Sequence, residues 1–282
     1  MAGELHCHST YSDGSVRIED LAPMASDLGL THLAVSDHDS IHSVRYAYQH
    51  PRQSGVQLIP ATELTGYDFE RSHRVHLLCY WPDDCAALQS HCQTMTERRN
   101  KACMQSIREL EQIYPQFHAQ QALKYAADGG VLYKSCIMQA LRELGLADSI
   151  YGALYKELFS CIPPGRVFHS PGYDPVRQVL EIARSSRAVV VVAHPSVYKS
   201  MPLIRELAAE GLIDGVEIDH PRNTEQDKQE CRMLCSRYGL IQTGGTDFHG
   251  SNTKHPLPLG SFVTAEDQID RIMALAKRRK AE

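Results

Sequence analysis

The sequence predicts an α/β barrel with a helical insertion, and three observations carry that reading. Seven short β-like runs recur along the chain with helical patterns between them, the signature of βα units around a parallel sheet. One run, residues 188–193 (Ala-Val-Val-Val-Val-Ala), is apolar on both faces, as a strand covered on both sides must be. From residue 86 to residue 168 the alternation stops and only helical patterns appear.

The runs begin at residues 4–8 and continue, after a helix over 17–28 stopped by Gly29, with 32–36 (His-Leu-Ala-Val-Ser). Residues 57–63 form the third run, and a short turn region at 66–73 joins it to the fourth, 74–80, as a hairpin. The Val run, 215–219 and 240–243 complete the series of seven, with Asp174-Pro175, Ser200 and Thr224 placed to cap flanking helices. In the interrupting stretch, helices are predicted over 94–114, 120–127, 134–144 and 150–159, ending at Gly129-Gly130, Gly145 and Pro163-Pro164-Gly165. The chain therefore divides into a barrel, residues 1–85 and 169–282, and an inserted subdomain, 86–168. That insertion reads either as extra barrel-covering helices or as a cap over the site.

Composition narrows the function. The 282 residues suffice for one barrel domain. With 34 acidic against 29 basic residues, the net charge of −5 recruits neither nucleic acid nor an anionic membrane. The basic tail at 277–280 reads as a solvated helix end. No apolar run reaches the roughly 20 residues of a membrane span, and Met1-Ala2-Gly3-Glu4 starts no secretory signal. Nine scattered cysteines, an odd count, read as reduced thiols, so a cytoplasmic location is expected.

The strand ends carry the chemistry. His6 and His8 alternate along the first run, so both imidazoles face one side and Cys7 the other. Asp13 follows in Ser12-Asp13-Gly14, where a loop can fold back over the strand end. Asp37-His38-Asp39 closes the second run, Glu63 the third, and His76 lies in the fourth. His194-Pro195 closes the Val run, and Asp247-Phe248-His249 follows the last. A lone histidine at a strand end is usually an ordinary hydrogen-bonded group. Six strand ends bearing such residues would bury many titratable groups in one cleft, which divalent cations compensate. Mixed N/O ligation without cysteine suits Zn, Mn or Fe better than Mg or Ca.

These motifs, His6-Cys7-His8, Ser12-Asp13-Gly14, Ser36-Asp37-His38-Asp39, Glu63, His76, Ala193-His194-Pro195 and Gly245-Thr246-Asp247-Phe248-His249, resemble the PHP (polymerase and histidinol phosphatase) family, in particular its stand-alone phosphoesterases with a helical insertion. The resemblance implies a distorted seven-stranded (β/α)7 barrel and two or three divalent ions. It puts His6, His8, Glu63 and Asp247 around one ion, with Glu63 bridging to a second completed by His76 and His194. A third falls to Asp13, His38 and His249. Asp37 and Asp39 are expected to orient imidazoles through their other ring nitrogen. The resemblance also directs Lys134 and Arg166, in the insertion, at a substrate phosphate. Val197 stands where nucleotide-acting relatives commonly carry Arg, which weakens a bisphosphonucleotide reading, although Lys199 could substitute. His220 is either a substrate contact or a loop-packing residue.

The expected activity is hydrolysis of a phosphate ester of a small metabolite or nucleotide, by a water made nucleophilic between two cations. Histidinol-phosphate phosphatase and 5′→3′ oligonucleotide exonuclease are the alternatives within that chemistry, and an amidohydrolase-type C–N hydrolase is the alternative outside it. A non-catalytic barrel is the third class, and the full ligand set counts against it. A small phosphorylated substrate is the expected partner, stable nucleic-acid binding is not expected, and the oligomeric state is not addressed by the sequence.

Overall fold

A computed structural model describes residues 2–126 and 128–281, so the predicted boundaries at Met1, Ala127 and Glu282 lie outside the described residues. The first half opens with β1 (Ala2–Cys7), α1 (Ile18–Asp27), β2 (His32–Val35) and α2 (His42–Gln49). There follow β3 (Arg52–Gln53), β4 (Val56–Leu58), β5 (Ala61–Asp68) and β6 (His73–Tyr80). After β6 come α3 (Ala86–Ile113), α4 (Ala119–Leu123), α5 (Lys134–Glu143) and α6 (Ala153–Phe159), in the stretch the sequence reads as an insertion. The chain then returns through α7 (Val176–Ser185), β7 (Val189–Val192), α8 (Met201–Ala209) and β8 (Gly215–Asp219). It ends with α9 (Glu225–Tyr238), β9 (Ile241–Gly244), β10 (Thr264–Ala265) and α10 (Glu266–Ala281).

The strands form two five-stranded sheets, ordered β10-β1-β2-β4-β3 and β5-β6-β7-β8-β9, and not one closed barrel of seven. The predicted third strand is two strands. Ile59 and Pro60 separate β4 from β5, and proline, lacking an N–H, cannot continue a ladder. The edges still approach each other, because Asp39 N donates to Glu63 O at 2.9 Å and Asp247 N to His6 O at 2.9 Å. The predicted hairpin is β5–β6, antiparallel in register Glu63↔Leu78. β6 also pairs antiparallel with β7, whereas β7–β8–β9 and β1–β2–β4 run parallel.

Burial follows the pattern the residues demand. All four valines of β7 are fully buried, with Val190 and Val192 packing on α7 and α8 and Val189 and Val191 facing Leu78 and Ile241. Thr224 caps α9 by accepting from Asp227 N at 3.1 Å, and Gly239 ends it at φ 67°. The insertion gathers its own apolar cluster, including Ile107, Leu110, Phe117, Ile137, Leu141 and Phe159. α3 begins at Ala86, eight residues before the predicted start, and runs along the seam between that cluster and the sheets.

Two glycines let loops reach the strand ends. A Cβ on Gly14 would stand 2.3 Å from His8 O, and one on Gly245 2.3 Å from His6 Cβ. Only glycine permits the approach that brings Asp13 and Asp247 back over β1.

Candidate metal centre and active-site cavity

Glu63, fully buried at the start of β5, is the hub. Its Oε1 lies 2.9 Å from His76 Nδ1 and 3.2 Å from His194 Nε2. Its Oε2 lies 3.3 Å from His6 Nε2, 3.4 Å from His8 Nε2 and 3.0 Å from His38 Nδ1. Asp247 Oδ1 approaches the same two rings of β1, at 3.5 Å from His6 Nε2 and 3.2 Å from His8 Nε2. Beyond His8, Asp13 Oδ1 stands 3.3 Å from His249 Nε2 and 4.0 Å from His38 Nε2. All nine residues picked out as ligands thus converge.

Their donor atoms fall into overlapping groups with each member within 4.8 Å of the others: His6, His8 and Asp247; His6, Glu63 and His194; His38, Glu63 and His76; and His8, Asp13, His38 and His249. His8 joins the last group in addition to the residues expected there. Among the described residues, His6 Nε2, both nitrogens of His8, Asp13 Oδ1, His38 Nδ1 and Glu63 Oε2 are buried without a hydrogen-bond partner. Buried polar atoms normally find partners. Atoms facing one another across 3.0–3.5 Å without bonding point instead at a shared cation. The donor set therefore fits divalent metal ions.

Electrostatics agree. Burial alone would raise the Glu63 carboxyl, but His38, His76 and His6 outweigh it and hold it well below the usual range. Burial pushes His76 down to about 3 and His8 to about 4, the latter helped by His249 and His38. Both are neutral imidazoles with a free lone pair at physiological pH. His249 goes the other way. Burial disfavours its charge, but Asp13 and Asp247 raise it to about 9.

Asp37 and Asp39, expected to orient imidazoles of the centre, are held elsewhere. Asp37 accepts from Ser9 N at 2.8 Å, Ser9 Oγ at 2.7 Å and Ser12 Oγ at 2.6 Å, pinning the β1 loop. Asp39 accepts from Thr65 N at 2.8 Å, Thr65 Oγ1 at 2.9 Å and Arg99. Both sit beside strong local donors, so neither carboxylate is free to reach a ring of the centre. Glu217 of β8 takes that role. It lies 2.9 Å from His6 Nδ1 and accepts from His194 N at 2.9 Å. Its signal in the sequence is a carboxylate at the middle of an apolar strand. His220 is fully buried, with Nε2 3.4 Å from Asp247 Oδ2, so it belongs to the cluster's wall.

A cavity of about 680 Å³ opens over Asp13, His38, His76, His194, Asp247 and His249. Its far wall comes from the insertion and neighbouring loops: Arg99, Tyr133, Lys134, Tyr155, Tyr173 and Tyr198 among others. Tyr133 donates to His38 O at 3.2 Å, tying the insertion to the metal centre. Lys134 lines this cavity, but Arg166 is exposed outside it and Lys199 is exposed next to Tyr198. Arg74 and Arg99 are cavity cations that motif reading passed over, since only burial distinguishes them from solvated charges.

The comparisons accord with this geometry. The PHP domain profile matches residues 4–157. The chain is 32% identical over 257 residues, 91% of its length and 97% of the other's, to a phosphoribosyl 1,2-cyclic phosphate 1,2-diphosphodiesterase of Eggerthella lenta. It is 27% identical over 257 residues, 87% of its length and 84% of the other's, to the 5′-3′ exoribonuclease Rnm of Escherichia coli K12. A solved structure from Bifidobacterium adolescentis superposes with a TM-score of 0.86 at 24% identity, covering 97% of this chain and 96% of that one. This last likeness shows a shared fold.

Proposed function

The chain belongs to the PHP domain family and is a metal-dependent phosphoesterase; on that premise we propose that it hydrolyses a phosphate ester of a small metabolite or nucleotide at a centre of two or three divalent ions, Mn, Fe or Zn. The observation that carries this reading is Glu63, whose two oxygens are shared among five imidazoles on four strands and loops. His6, His8, Glu63 and Asp247 would hold one ion, Glu63, His76 and His194 a second, and Asp13, His38 and His249 a third. Such ions supply Lewis-acid charge for the phosphoryl oxygens and a water of lowered pKa.

The protein's own residues supply the rest. Glu217 fixes the tautomer and orientation of His6, leaving Nε2 for ligation. Residues 86–168 serve as a cap that walls the reacting ester from bulk water, with Tyr133 fastening it to the His38 loop. The cations of the cavity, Lys134 among them, favour a phosphate substrate over the carbonyl substrate of an amidohydrolase. All nine cysteines are free, which supports a reducing, cytoplasmic setting, and no helix is long and apolar enough to cross a membrane among the described residues.

A second reading, trimming of short 5′-phosphorylated oligonucleotides, is favoured by one feature. Tyr173 at the cavity stacks on Tyr67, which meets the exposed Phe69, a row of rings on which bases could stack. A Mn-loaded protein should release phosphate from a panel of sugar phosphates, nucleotides, histidinol phosphate and short oligomers. Glu63→Gln should lower that turnover by at least about a hundredfold and reduce bound metal measured by elemental analysis. Full turnover in the metal-depleted protein would sink the proposal.

A further inference from the structure

The end of β8 carries a histidine to which neither the ligand set nor the cavity gives a task. His220 follows β8 directly and is fully buried. Its loop is tied to its neighbours: Asn223 Nδ2 donates to Glu217 O and Ile218 O, both at 3.0 Å, and Asn223 Oδ1 accepts from Ser196 N at 3.2 Å. Arg222 N donates to His220 Nδ1 at 3.1 Å, so Nδ1 holds the lone pair and, in the neutral ring, the proton sits on Nε2. Burial lowers the imidazole below its ordinary value and favours that neutral form.

The Nε2–H so placed is buried and, among the described residues, has no hydrogen-bond partner. A stranded donor is costly, and this one faces Asp247 Oδ2 at 3.4 Å. Arg222 Nη2 stands 3.0 Å from the same oxygen. The other oxygen, Oδ1, faces His6 Nε2 at 3.5 Å, His8 Nε2 at 3.2 Å and His249 Nδ1 at 3.5 Å. Asp247 is thus divided, with one oxygen toward the imidazoles of the centre and one toward groups that hold it from behind. Its backbone, at φ 55°, sits in the left-handed region that residues other than glycine seldom adopt, so its surroundings dictate its placement. Long hydrogen-bond contacts at active sites commonly tighten on ligand binding.

We propose that His220 is a positioning residue of the metal centre: through Nε2–H it holds Asp247 Oδ2, so that Asp247 presents Oδ1 alone to the ion shared with His6 and His8. The inference rests on the metal-centre reading and adds a residue to it. The strand β8 then serves one ion twice. Glu217 sets His6 through a carboxylate on an imidazole, and His220, just beyond the strand end, sets Asp247 through an imidazole on a carboxylate. Arg222 reaches the same oxygen from the cavity mouth, where its side chain is 60% exposed. An ion pair so open to solvent contributes little, which leaves the buried imidazole as the main hold on Oδ2.

Calorimetric titration of Mn into the metal-stripped protein tests this without turnover. His220→Asn keeps an acceptor for Arg222 N but is too short to reach Asp247, whereas His220→Gln can place an amide N–H near the position of Nε2. His220→Asn should weaken Mn binding at one site about tenfold or more, and His220→Gln should stay within about threefold of wild type. In an Asp247→Ala background, His220→Asn should change Mn affinity by less than about twofold, because the residue acts through Asp247. His220→Leu, apolar and of similar volume, repeats the comparison should the shorter side chain fail to fold. Unchanged Mn affinity in these donor-less variants would overturn the proposal, as would a loss that His220→Gln does not repair or that persists undiminished without Asp247. A wild-type protein that binds no Mn would instead refute the metal centre on which the proposal stands.

Discussion

His249 and His76 show how one kind of side chain serves two roles within a single centre. His76, pushed to about 3 by burial, offers a lone pair at any physiological pH. His249, raised to about 9 by Asp13 and Asp247 against the effect of burial, carries a proton that a cation must displace. The sign is fixed by that difference: below about pH 9, occupation of the Asp13–His38–His249 group releases a proton, so affinity rises with pH and falls as the solution is acidified. Titration of Mn into the metal-stripped protein at pH 7, in buffers of different ionisation enthalpy, should reveal at least one proton released. Zero release would contradict this assignment. At this scale the convergence of the nine residues was legible, because each lies on a strand or in the loop that follows one. Glu217, Arg74 and Arg99 were not legible, because a carboxylate or guanidinium declares its role only once burial deprives it of water.

Among the elements, α3 and the seam at Pro60 depart most from the sequence pattern. The early turns of α3 bury Leu88, His91, Cys92 and Met95. His91, polar by type, sits between Asp39 at 3.6 Å and Asp174 at 3.6 Å, which hides the apolar period from a reading by hydrophobicity. Further along the helix Arg99, whose side chain is 13% exposed, holds the almost fully buried Asp39. Burial would raise the Asp39 carboxyl, but Arg99 and His91 hold it far below its ordinary value. Its contribution to stability is present above the unfolded carboxylate range and is lost as pH falls toward the depressed value. Arg99→Met should therefore cost about 3 kcal/mol or more in urea unfolding at pH 7, since it strands a buried charge. Asp39→Asn in the Arg99→Met background should recover part of the loss. An Arg99→Met protein as stable as wild type would show that the pair is not what fastens α3 to the sheets.

For the molecule as a whole, the α/β class and the run of helices after β6 were legible, but the closure of the strands was not. Whether consecutive strands share one ladder depends on a single proline and on backbone approaches that local patterns do not encode. The two sheets meet where ligands from both converge: His6, His8 and His38 come from one, and Glu63, His76 and His194 from the other. Cations held by these residues would cross-link the sheets. Chelation should lower the melting temperature, and restoring Mn to about a hundred times its dissociation constant should return about 2.7 kcal/mol of stability. A melting temperature indifferent to chelator would remove the cations from any role in joining the halves.

The pairing of Tyr80 with Val189 has a kinetic implication. β6 and β7 are neighbours in space but flank the whole insertion in the chain, so their ladder closes a very long loop. Closure entropy grows with the logarithm of loop length and must be met before the pairing returns anything. An insertion already collapsed on Ile107, Phe117 and Ile137 would shorten that loop, whose two flanks the folded structure joins through the Arg98–Asp174 pair at 2.9 Å. The same helices that wall the cavity would then act during refolding as a template, setting the order in which the second sheet is zipped.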